Sequence, residues 1–173
     1  MFSKLVAPIA PIQRIVERFS PWGVWVFALI ALYVRFQAAL PFWKSGLTKW
    51  QGDTVVQKLT GFELSSSVAY LFEHEYKIRQ FGGEIDLPFP DVLGLFAALG
   101  EVWLSVIVFL GLFTRLGALG LFGMTIVIQL VYPEGFFWLH ATWFAMLILV
   151  LLLGPGRISL DWLLARMAGA KSV

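Results

Sequence analysis

The chain has 173 residues, 59% hydrophobic and only 14% charged, with a formal net charge of +2. So little polar surface cannot clothe a soluble domain, and residues 1–173 read as a single transmembrane domain. The small charge excess excludes nucleic acid as a partner, and the absence of Cys excludes disulfides, thiolate metal sites and a dithiol relay.

Near the N-terminus, Lys4 precedes an apolar stretch that Pro8 and Pro11 interrupt without a cleavage site, so no removable signal peptide is expected. Ile12, Ile15, Val16 and Phe19 fall at helical spacing opposite Gln13, Arg14, Glu17 and Arg18. This spacing predicts a short surface helix leading into the first span at Pro21. Four apolar runs follow, at about residues 22–40, 92–113, 116–132 and 136–153, each close to the ~20 residues that cross a bilayer core. The fold class is therefore all-α: an integral membrane four-helix bundle with short interfacial helices and one long extracytoplasmic loop or lid, 44–90.

Within that loop, Ser65, Ser66 and Ser67 can cap a short lid helix through Val68, Tyr70, Leu71, Phe72 and Tyr76, since a Ser hydroxyl satisfies first-turn amides. Gly82-Gly83 and Pro88-Phe89-Pro90 then break regular structure before the second span. Gly111-Leu112-Phe113-Thr114-Arg115 predicts a tight hairpin, with Gly ending one helix and Thr114 capping the next. Gly94, Ala97, Ala98 and Gly100 in the second span, and Gly117, Gly120 and Gly123 in the third, allow backbones to approach closely. After the fourth span Gly154-Pro155-Gly156-Arg157 stops the helix. Ser159 can cap a last surface helix with Leu160, Leu163, Leu164 and Met167 on one face. Trp22, Trp25, Trp43, Trp138 and Trp143 fall near span ends, as an interfacial aromatic belt would.

Cations set the expected orientation. Lys4, Arg14, Arg18, Arg115, Arg157, Arg166 and Lys171 share one side of a four-span protein. The loop 133–135 has none, and the long loop offsets its bases with Asp53, Glu63, Glu73, Glu75, Glu84 and Asp86, and with Asp91 beyond it. The positive-inside rule then places both termini in the cytoplasm.

Ionisable groups within hydrocarbon are paired, hydrated or functional, which draws attention to Arg35 and Glu101. At ~1.5 Å per residue both count to roughly 12–14 Å below the outer surface, so the two are expected to meet. Gln129 and His140 count to the same outer half. In the functional reading Arg35 binds a head-group carbonyl, Glu101 and His140 handle protons, and Gln129, Tyr132, Trp43 and Lys49 complete a substrate site. In the structural reading the Arg35–Glu101 pair only fixes helix register. Lys44 and Lys49 either snorkel to head groups or guide an anionic substrate. Glu73-His74-Glu75 are neighbours along a helix and do not converge, so no metal site is expected. His74 is the only second histidine, which disfavours a bis-His haem.

Arg35, the run Phe42-Trp43-Lys44-Ser45-Gly46-Leu47-Thr48-Lys49, Glu101, the hairpin motif with Gly111, Thr114 and Arg115, and Gly154-Pro155-Gly156 with Ser159 and Asp161 together resemble the DoxX family of small four-span membrane proteins. The resemblance spans about residues 25–161. It implies a multi-pass protein of the bacterial inner (plasma) membrane and, loosely, a place in quinone-linked electron transfer. No intrinsic redox centre is evident, so quinone is the one cofactor expected, and the redox chemistry falls to a partner protein. Membrane lipids and a second copy of the chain are further expected partners. The leading reading is a quinone- or lipophile-binding membrane subunit of an oxidoreductase system, with catalysis by this chain alone left open. The alternatives are a non-enzymatic scaffold that recruits partners and a small-solute transporter, which four spans without an inverted repeat fit least.

Overall fold

The computed structural model of the protein describes residues 22–80 and 82–169. The surface helix expected around Ile12 to Phe19, and the cations Lys4, Arg14, Arg18 and Lys171, lie outside the described residues.

In chain order the elements are α1 (Gly23–Thr48), α2 (Val55–Gly61), α3 (Ser66–Tyr70) running into a π-helical turn (Leu71–Glu75), and strands β1 (Lys77–Gln80) and β2 (Gly83–Asp86). The helices α4 (Pro90–Leu110) and α5 (Thr114–Val131) follow. A 3-10 turn (Pro133–Gly135) and a second π turn (Phe136–His140) then lead into α6 (Ala141–Leu153), and α7 (Leu160–Met167) closes the order. Among the described residues, four stretches are long and apolar enough to cross a membrane: α1, α4, α5 and Pro133–Leu153. The four pack as a ring in which α1 touches α4, α4 touches α5, α5 touches α6 and α6 returns to α1. Val34, Ala38, Phe42, Leu121, Leu147 and Val150 fill its centre.

The first span runs well past the expected end at residue 40, with Pro41 inside it. An interior proline removes one backbone hydrogen bond, a loss that packing can absorb; here Phe42 is fully buried in the core one residue on. Gly46 then brings α1 against α4 so closely that a Cβ there would lie 2.7 Å from Val102. Gly117 and Gly120 do the same for α5 against Ile107 and Leu104 of α4. Gly94, by contrast, receives the lid, because Val68 and Phe72 press onto it.

The lid holds more structure than expected. Thr54 and Gln57 form a reciprocal capping box that starts α2. The break at Gly82-Gly83 falls in an antiparallel hairpin, with Gly82 in the turn and Gly83 already in β2 opposite Gln80; the hairpin pairs Lys77 with Asp86 and Arg79 with Glu84, each pair also joined by a salt bridge. Ser65 does begin α3, but its hydroxyl meets Ser67 rather than a first-turn amide. At the opposite end α7 starts as expected, with Ser159 Oγ accepting from Trp162 N at 3.1 Å. Leu160, Leu163, Leu164 and Met167 remain exposed along it, as suits a helix lying on a membrane surface. Trp22, Trp25 and Trp138 are exposed near span ends, whereas Trp43 and Trp143 turn inward against Trp50 and Phe42.

Candidate functional site

Arg35 and Glu101 do not meet. Because α1 continues to Thr48, Arg35 falls midway along it, level with the far end of α4, and its guanidinium donates to Phe109 O at 3.0 Å and to Ile158 O. Glu101 and Phe109 are separated by roughly 12 Å of helix.

Arg35 instead anchors a knot at the end of the bundle opposite the lid. Gly111, in the left-handed conformation at the end of α4, abuts the guanidinium, so that any side chain there would collide with it. Asp161 N donates to Gly111 O at 2.8 Å. The Asp161 carboxylate accepts from Phe113 N at 2.7 Å, Thr114 N at 2.9 Å and Thr114 Oγ1 at 2.7 Å. Thr114 therefore does not cap α5 itself; an acid from beyond the last span does. Asp161 is also the charge that faces Arg35. Gly156 packs against Ala31 and Ala28 of α1, and Arg115 lies over Gly154. The hairpin motif and the Gly154-Pro155-Gly156, Ser159 and Asp161 motif are thus two halves of one structural device.

Three pairs of polar groups gather at the lid end. Lys49 Nζ donates to Glu101 Oε2 at 2.6 Å and to Ser45 Oγ at 3.0 Å, with the pair's side chains only 12% and 6% exposed. An ammonium has three donors, so one remains for a further oxygen. Between α5 and α6, Gln129 Oε1 meets His140 Nδ1 at 2.7 Å, and Gln129 Nε2 donates to Pro133 O at 3.1 Å. Tyr76, leaving the lid's π turn, packs edge-on against Tyr132 with ring centroids 5.8 Å apart. Burial, the neighbouring Tyr132 and the Glu101 charge push the Tyr76 phenol up to about 12. Burial likewise raises Tyr132. Both phenols therefore stay protonated, as hydrogen-bond donors, at neutral pH. Each π turn ends at one of these groups, Tyr76 or His140, and such turns recur at functional sites because they re-aim the side chains that follow.

Between the knot and the lid, the membrane-facing seam of α1 and α4 holds a groove of ≈ 290 Å³ lined by Phe36, Ala39, Leu40, Trp43, Ser105, Val106 and Phe109. The Ser105 hydroxyl donates to Val102 O within its own helix, which leaves the wall apolar. Phe109, Ser105 and Glu101 follow one another at four-residue spacing and so share one helix face. The Phe36–Phe109 pair, rings 5.7 Å apart, lies toward the knot; Glu101, paired with Lys49, lies one helical turn beyond Ser105 toward the lid and does not itself line the groove.

The DoxX family profile matches residues 30–141, well over half of the chain. The chain belongs to the DoxX family. No curated protein and no solved structure matches it. Within this DoxX chain the matched region holds Arg35, Trp43, Lys49, Glu101, the hairpin, Gln129, Tyr132 and His140, while Gly154, Ser159 and Asp161 lie beyond it. The groove residues Phe36, Ser105 and Phe109, and the lid's Tyr76, were not singled out as site residues by sequence reasoning. Four-residue spacing from Glu101 points to Ser105 and Phe109 and could have found them; Tyr76 carries no such signal, because its place depends on how the lid folds back.

Proposed function

We propose that this DoxX protein binds a quinone or similar lipophile at the lid end, as the membrane subunit of a redox system whose electron-carrying centre lies in a partner protein. The observation that carries the reading is an apolar groove on the α1–α4 seam with a nearly buried ion pair, which has a donor to spare, one helical turn further along α4 toward the lid. The groove suits a hydrocarbon tail. Lys49 would donate to a head-group oxygen and Glu101 would accept from a hydroxyl, with Tyr76 and Tyr132 closing the site from above. Arg35 has no part in head-group binding on this reading, since two carbonyls and the hairpin already occupy its guanidinium. The lid faces the extracytoplasmic side of a bacterial inner membrane.

The test is extraction of lipids and quinones from protein purified in native-lipid nanodiscs, comparing the parent with Glu101→Gln and with Ser105→Phe, which fills the groove. Stoichiometric quinone in the parent, depleted in both folded variants, supports the reading. Its absence from the parent, or retention in both variants, removes it. A scaffold role is the second reading, favoured by the lid's fully exposed strand β2 with Ile85 65% exposed. That reading gains if removing residues 77–86 abolishes partner capture while the lipid content stays unchanged.

A further inference from the structure

The hydrogen bonds around His140 fix which of its nitrogens carries the proton. Gln129 donates through Nε2 to Pro133 O, which turns its Oε1 toward His140 Nδ1. An amide oxygen only accepts, so Nδ1 must be the protonated nitrogen, and Nε2 is left with a bare lone pair. No described hydrogen bond reaches Nε2. The imidazole, 3% exposed overall, leans on Trp143 at 5.3 Å between centroids. Gly135 passes across its other side, where a Cβ would lie 2.7 Å from Cε1 and 3.0 Å from Nε2. Gly135 has φ −74 and ψ −7, a conformation open to any residue. Its lack of a side chain therefore serves the ring and not the backbone.

We propose that Gln129 and Gly135 are positioning residues that hold His140 as its Nδ1–H tautomer, so that Nε2 accepts a hydrogen bond from a hydroxyl-bearing head group in the lid-side leaflet. This goes beyond the groove reading: it concerns the α5–α6 end of the molecule, and it stands or falls without the Lys49–Glu101 pair. The required chemistry is a neutral hydroxyl at head-group depth. Two sources supply it, a quinol and the glycerol of phosphatidylglycerol. An oxidised quinone, which has no donor, does not fit.

Only two histidines, His74 and His140, are present in the chain, so nitrogen-15 histidine NMR of the whole protein in phosphatidylcholine nanodiscs resolves the tautomer directly, with exposed His74 as the internal reference. The expected spectrum has a pyrrole-type Nδ1 and a pyridine-type Nε2 for His140. That pattern is lost in Gln129→Leu and displaced in Gly135→Ala. Adding a short-chain quinol, or replacing part of the lipid with phosphatidylglycerol, should shift the Nε2 resonance, and whichever arm does so identifies the source. The same amount of oxidised quinone should leave it in place. A pyridine-type Nδ1 in the parent, an unchanged pattern in Gln129→Leu, equal shifts from quinone and quinol, or no shift from either hydroxyl donor would each overturn the proposal.

Discussion

Asp161 takes three hydrogen bonds from residues 47 and 48 positions earlier, and through them one carboxylate stands in for the missing cap of a membrane helix. Hydrogen bonds to a charged group contribute about 1.5–3 kcal/mol each, and loss of a helix cap alone costs about 1 kcal/mol. Asp161→Ala should therefore destabilise the protein by about 2–4 kcal/mol in a denaturant titration of the nanodisc-embedded chain. Asp161→Asn, which keeps one acceptor, should lose roughly half as much. An alanine variant as stable as the parent would mean that water or lipid replaces the cap. The Lys49–Glu101 pair calls for the opposite logic. Removing one member of a nearly buried pair leaves a lone charge, so Lys49→Met alone should cost about 3 kcal/mol. The double variant Lys49→Met/Glu101→Leu should recover to within about 1 kcal/mol of the parent, yet co-purified lipophile should stay lost if the pair binds a head group. Recovery of both stability and lipid content would reduce the pair to a packing device.

At the scale of elements, the lid is held by Val68 and Phe72 on Gly94 and by Tyr76 on Tyr132. With the lid closed the Tyr76 phenol keeps its proton up to about 12, whereas an open lid returns it to the ordinary value of 10.0. Between those values the open form binds fewer protons, so stability of the closed lid is fully present below pH 10 and falls as pH rises toward 12. Amide hydrogen exchange of residues 66–76 should accelerate over that window. Tyr76→Phe should abolish the alkaline step, and an unchanged step would assign it to another group. The same elements show what the sequence made legible. The spans could be read because twenty apolar residues have few other uses, and the cap at Ser159 because it acts locally. The end of α1 could not, because a proline inside a membrane helix breaks it only where packing fails to compensate. That error placed Arg35 at the depth of Glu101 and paired two residues that serve opposite ends. The lid hairpin was readable in principle from Lys77, Ile78 and Arg79 alternating against Glu84, Ile85 and Asp86 on either side of a glycine-containing turn. The Asp161 cap was not, since nothing local links it to Thr114.

For the whole molecule, the two ends differ in kind. The knot end, where Asp161 takes three hydrogen bonds from the α4–α5 turn, is built to stay fixed, while the lid end carries the π turns, the paired phenols and the partly engaged Lys49 and His140. The proposed lipophile binding would use this asymmetry: a rigid base to keep four helices in register, and a head-group layer that can open. In the proposed orientation, taken from the positive-inside rule, the arginine-rich knot lies in the cytoplasm and the lid with its proposed site on the far side, where a partner would have to dock. Because the chain has no cysteine, single cysteines report this cleanly. Glu73→Cys, at a lid position whose side chain is 65% exposed, should react with a membrane-impermeant maleimide in intact cells. Met167→Cys, at a position 75% exposed on α7, should react only after permeabilisation. The reverse pattern would turn the protein over, placing the lid and the Lys49–Glu101 pair on the cytoplasmic side and any redox partner there with them.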